Sequence, residues 1–157
     1  MSSPDKRNVD GLVDHYLKDV NSIYSVVHSS TFLKDYVTWF RDRMNGQCLD
    51  PSFTCLLLQI CASAAQQPPE SLRLQMEYEL AESCVDMSRK LHNAAEALSC
   101  SLSPGDGGVH YVLRLLIAAA TSKTEGRVTD AWHYVGVAVR EEQECRECGS
   151  PRDCGTI

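Results

Sequence analysis

The chain contains no apolar run of about 18 residues or more, so no segment of it reads as a membrane span. Positive charge is short as well: 15 Lys and Arg stand against 21 Asp and Glu, a net charge of −6. A surface of that sign repels phosphate on average. Direct binding to nucleic acid, whose affinity comes mainly from Lys and Arg, is therefore not expected. The stretch Met1 to Asp10 is polar and lacks the apolar core of a secretory signal, so reduced thiols in the nucleus or cytosol are the expected state. Signatures of catalysis are missing too. There is no GxSxG, HExxH, GxGxxG or P-loop pattern. The only close carboxylates of note, Asp10 and Asp14 with Lys18 one turn on, read as an exposed charge ladder. No 34-residue period recurs, which excludes a repeat array.

What the chain does have is helical periodicity. At 157 residues, 43% hydrophobic and 23% charged, it is long enough for one domain with a core and short for two. Val9, Leu12, Val13, Tyr16, Leu17, Val20, Ile23 and Tyr24 recur at steps of three and four, predicting a first helix with one apolar stripe. Ser30 offers an N-cap for a second helix bearing Phe32, Leu33, Tyr36, Val37, Phe40 and Met44, which Asn45-Gly46 stops. Asp50-Pro51 opens a third, a capping acid followed by proline at the first helical position. Its run through Phe53, Leu56, Leu57, Leu58, Ile60 and Cys61 to Ala65 is apolar on nearly every side and should be the buried central helix. After Pro68-Pro69 a long fourth helix is expected over 70–99, with Leu74, Tyr78, Ala81, Val85, Ser88, His92 and Ala95 as its packed stripe. Residues 103–108 form a loop too short for a linker. The last two helices, Val109 to Thr121 and Thr129 onward, make a hairpin around 123–127. Ala131, Trp132, Val135 and Val139 are expected to face inward there, with Tyr134 a further candidate. The sum is an all-α single domain of about six helices over residues 9–144, a bundle ending in a helical hairpin. Residues 1–8 read as a polar tail and 145–157 as a cysteine-containing tail.

Eight cysteines are present. Cys48, Cys55, Cys61, Cys84 and Cys100 are scattered singly, and Cys55 and Cys61 lie in an apolar run where a free thiol acts as a small hydrophobe. Cys145, Cys148 and Cys154 cluster. A CxxC pair supplies two ligands of a tetrahedral zinc site and Cys154 a third, but no fourth follows, so no metal is expected and the three stand only as candidate ligands. His15 beside Asp14 reads as solvated, and His28 as a buried or half-buried turn residue bonded to backbone. Asp130 and His133 share a helical face, where a carboxylate can orient an imidazole base. With His28 they are the candidate catalytic residues. No cofactor is implied.

Two blocks carry a family likeness. One is Ile23-Tyr24-Ser25-Val26-Val27-His28-Ser29-Ser30-Thr31-Phe32, an apolar helix end followed by histidine, a short cap and Thr-Phe. The other is Gly126-Arg127, Ala131-Trp132 and Gly136-Val137-Ala138-Val139-Arg140, set after an apolar helix. In order, they resemble the regulatory middle region of fungal zinc-cluster transcription factors over most of residues 9–145, with Ser30 where that family usually has proline. The six-cysteine zinc cluster with which such factors bind DNA has no counterpart here. The resemblance implies transcriptional control in a fungal nucleus, of a metabolic gene cluster, exerted through a partner chain or a small-molecule effector. A helical domain cut after its sixth helix leaves an apolar face open, which predicts a homodimer or docking onto a full-length regulator. The alternative is a small all-α enzyme or ligand-binding protein that keeps only the fold, a cofactor-independent cyclase or isomerase. Its apolar cavity would draw on Tyr16, Tyr24, His28, Trp39, Tyr111, Trp132 and His133, each of which also has a plainer reading as core.

Overall fold

The computed structural model describes residues 6–103 and 105–148, and the regular elements among them are all helical. Helix α1, Lys6–His15, continues through a π-helical turn at Tyr16–Val20 into α2, Asn21–Tyr24, as one rod. Val9, Leu12, Val13 and Tyr16 are buried along it, as their spacing requires, but Ile23 and Tyr24 at its end are exposed. The rod begins inside the stretch read as an N-terminal tail: Asn8 is 1% exposed and donates to Glu79. It ends where Ser25 takes a left-handed conformation, φ 48°. Asn21 holds the exit. Its carboxamide donates to the Val27 carbonyl at 2.8 Å and accepts the Val27 N–H at 3.0 Å, so one side chain satisfies a buried backbone pair.

Helix α3 is Ser29–Met44. Its cap is His28 and not Ser30, because His28 has the extended backbone a cap needs and its ring accepts the Thr31 N–H. Phe32, Tyr36 and Phe40 recur every fourth residue and point inward, while Leu33, Val37 and Met44 are exposed. Phe32 and Tyr36 stack at 6.0 Å between centroids, Tyr36 and Phe40 meet edge to face at 5.0 Å, and Phe53 of the next helix joins them at 5.5 Å from Phe32.

Helix α4, Pro51–Gln66, opens as the sequence prescribes, with Asp50 accepting the Ser52 N–H at 3.0 Å. It is the central helix, packed against α1, α6 and α7. Leu56 and Ile60 are 1% and 0% exposed, so truncating either to Ala removes about 2–5 kcal/mol. Its cysteines are inert: burial raises the Cys55 thiol and pushes Cys61 up to about 12.

The expected long helix over 70–99 is two helices, α5, Glu70–Leu80, and α6, Cys84–Ser99. Ala81 takes a left-handed φ of 52°. Two side chains then claim the free N–H groups of α6: Ser83 Oγ accepts from Asp86 and Glu77 from Cys84. The break rotates the packed face. Met76, Cys84 and Met87 are buried with Ser88 and Ala95, whereas Leu74, Tyr78 and Val85 are exposed. Among the described residues there are therefore seven helical rods where about six were expected.

Helices α7, Gly108–Thr124, and α8, Val128–Cys148, form the hairpin, turned at Gly126 with φ 79°. Ala138 and Ala118 are buried. Trp132 and Val139 are not, since α8 packs on α7 alone among its larger contacts and turns these two away from it. The helix runs on to Cys148, past the residue 145 at which a tail was expected.

Candidate functional site

An open apolar groove of about 580 Å³ lies between the end of α2 and the α7–α8 hairpin. The Ser25 kink and the Asn21–Val27 clamp set Tyr24 and Val26 along one edge. Ala119, Ala120 and Ala131 keep the floor low, and Val128, Trp132 and Val135 form the far wall. Trp132 is 71% exposed, an expensive position for an indole that meets only water. The exposed positions Val128, Trp132 and Val139, with half-buried Val135, are spaced 4-3-4 along α8, the spacing of a helix–helix seam.

Behind α8 the chemistry reverses. Arg114 of α7 is 1% exposed, and its guanidinium donates to Glu96 of α6 at 2.5 Å while lying 5.6 Å from the Tyr134 ring centroid. The Tyr134 hydroxyl donates to the same carboxylate at 2.5 Å and sits 3.2 Å from Nε2 of His92. His92 Nδ1 in turn meets the buried Gln59 carboxamide of α4 at 3.0 Å. Burial raises the Tyr134 hydroxyl and lowers the His92 imidazole. For Glu96 burial acts upward, but the bonds from Tyr134 and Arg114 together outweigh it and hold the carboxyl below its usual range. One polar chain thus ties α4, α6, α7 and α8 together.

The fungal specific transcription factor domain matches this chain over residues 13–146. The chain belongs to that family. Curated relatives agree: it is similar to "Transcription factor xilB" of Penicillium rubens, 26% identical over 147 residues, and to "Probable transcription factor sol4" of Alternaria solani, 23% identical over 147 residues. The alignments cover 90% of this chain in each case, but 21% and 26% of the relatives, so the chain spans about a quarter of their length. No solved structure matches.

Within this fungal specific transcription factor domain, the two resembling blocks meet: Tyr24 and Val26 of the first face Ala131 and Trp132 of the second across the groove. Other sequence candidates lie apart. Tyr16 is buried in the core, and burial raises its hydroxyl. Trp39 donates to Thr54 at 2.9 Å beside a separate small cleft. Tyr111 is half-buried on α7, and His28 is an exposed cap. Asp130 is engaged by Arg127 at 3.0 Å, and His133 is exposed with its ring 6.2 Å from that of Tyr134. Cys145 donates to the Gly105 carbonyl; the Cys148 side chain and Cys154 lie outside the described residues, and among those described no group of three or more metal-ligating side chains occurs. His15 is not solvated: it bridges Asp19 at 2.8 Å and the Gln67 carbonyl at 2.9 Å. Arg114, Glu96 and Gln59 were not singled out in the sequence. A lone Arg within the apolar run Val112–Ala120 was the one signal that could have found the first of them, since a charge there must be paired.

Proposed function

We propose that this chain is a regulatory module of a fungal transcription factor, working in the nucleus through a partner chain, and that its partner is a second copy of itself. The observation that carries this reading is the exposed 4-3-4 seam of α8. An antiparallel pairing of two α8 helices sets Val128 over Val139 and Trp132 over Val135 in both copies at once, the self-complementarity a twofold interface needs. It also covers the wall of the apolar groove, and no nucleic-acid contact is required of a chain with net charge −6. The family membership supports control of transcription, and the relatives' names support it only at that level. Control of a metabolic gene cluster is part of the same reading.

The test is light scattering coupled to size exclusion, on the wild type and on Trp132→Glu. The expected result is a dimer unaffected by reductant or chelator that becomes a monomer with unchanged helicity in the variant. A wild type that stays monomeric up to its solubility limit overturns the reading.

A further inference from the structure

A second cavity, also about 580 Å³, opens between the C-terminal end of α4, the middle of α6 and the α7–α8 turn. It lies in the size range of small-molecule sites. Its charges are already closed on themselves. Arg127 is held by Glu125 and, at 3.0 Å, by Asp130; Arg89 reaches Asp86 at 3.4 Å; Glu125 also accepts from Gln66 at 2.6 Å. His92 has both ring nitrogens engaged, on Gln59 and Tyr134. An ionic ligand would have to displace one of these pairs.

What the wall leaves unspent is uncharged. The carboxamides of Gln67 and Asn93 lack side-chain bonds among the described residues and can both donate and accept. Ser88 gives its proton to the Ala62 carbonyl at 2.7 Å, and Thr124 gives its own to Ala120 at 3.0 Å, so each keeps an oxygen that accepts. Thr121 lines the same wall, but its hydroxyl is buried behind it and has no partner among the described residues, so it is not among the groups offered to a ligand. We infer that this cavity binds a neutral polyhydroxylated molecule of sugar size, whose hydroxyls each donate and accept as the wall requires. The site touches α4, α6 and the turn into α8, and it stands independently of the pairing proposed for the α8 seam.

Sugars raise the melting temperature of most proteins by exclusion from the surface, so a thermal shift cannot decide the matter. The experiment is a two-dimensional amide NMR titration of the whole chain with D-glucose and with maltose. The expected result is saturable shifts confined to the amides around Ser88, Asn93, Thr121 and Thr124 for at least one of the two. Asn93→Leu, an exposed position on α6, should weaken binding about tenfold. Trp132→Glu should leave the affinity unchanged. Shifts that are unsaturable, spread over the surface or unaffected by Asn93→Leu overturn the assignment.

Discussion

On the side of α8 that meets α6 and α7, Tyr134 closes a chain of bonds running from Gln59 to Arg114. On the side that meets water, Val128, Trp132 and Val139 stand open. The same helix is thus joined to its own domain by a polar chain as well as by its packing on α7, and it presents further apolar side chains to water. A hairpin stabilised only by apolar packing would have spent that surface internally. The buried polar chain sets the rotation of α8 about its axis, and that rotation leaves the seam outside. Stability and association should therefore separate between the two faces.

The largest effect that would break this contrast comes from the inner face. Glu96→Leu leaves the Arg114 guanidinium buried without its carboxylate, which breaks an ion pair with one partner wholly out of water. Because Glu96 is itself partly exposed, the expected loss is toward the low end, about 3 kcal/mol in urea unfolding. Trp132→Ala, on the outer face, should change monomer stability by no more than about 0.5 kcal/mol. Equal losses from the two variants would mean that the seam is packed within the monomer after all.

Acid should sharpen the contrast with a smaller effect. Burial first of all, with Arg114 and Arg127, holds His92 below its ordinary 6.5, against the pull of Glu96 and Glu125. Glu96 is held below its ordinary 4.5, where its bonds from Tyr134 and Arg114 overcome the upward effect of burial. On both groups the unfolded chain takes up a proton at a higher pH than the folded one, so stability falls as pH falls. The loss begins below about 6.5 through His92 and continues below about 4.5 through Glu96. Urea midpoints measured down the pH scale should show both limbs, and His92→Gln should flatten the upper one alone. A midpoint that rises on acidification to about pH 5 would contradict the polar chain as drawn.

How far the sequence reveals these two faces depends on what each signal reports. The central helix was legible because Asp50-Pro51 caps it and apolar residues surround it, features that tertiary context rarely overrides. The long helix over 70–99 was not, because Ala81 is a strong helix former and nothing near it announces a left-handed residue. The break shows only in the Ser83–Asp86 capping spacing, which competes with a continuous apolar pattern. The inward assignment of Trp132 and Val139 failed for a different reason. Periodicity says which residues share a face, but not whether that face meets the domain or a partner. Tyr24 and Trp132 were read from the sequence among the aromatic residues of an apolar cavity, and both line the groove, whereas Tyr16 and Trp39 of the same set lie apart from it. The polar chain was not, since Gln59, His92, Glu96, Arg114 and Tyr134 come from four separate helices and only the fold brings them together.

The smallest effect is the most discriminating for the outer face. Gly136 lies on α8 about a quarter turn from the seam, and a Cβ added there meets nothing within 4 Å. Gly136→Ala should therefore gain the helix propensity of alanine over glycine, about 1 kcal/mol, with no packing term to oppose it. Because position 136 flanks the seam and does not lie in it, self-association should stay within about threefold of wild type if the pairing follows Val128, Trp132, Val135 and Val139. Urea unfolding at low concentration reads the first quantity and sedimentation equilibrium the second. A stability gain accompanied by loss of the dimer would move the interface around α8 toward Gly136. No gain at all would show that this stretch of α8 is already covered in the free chain.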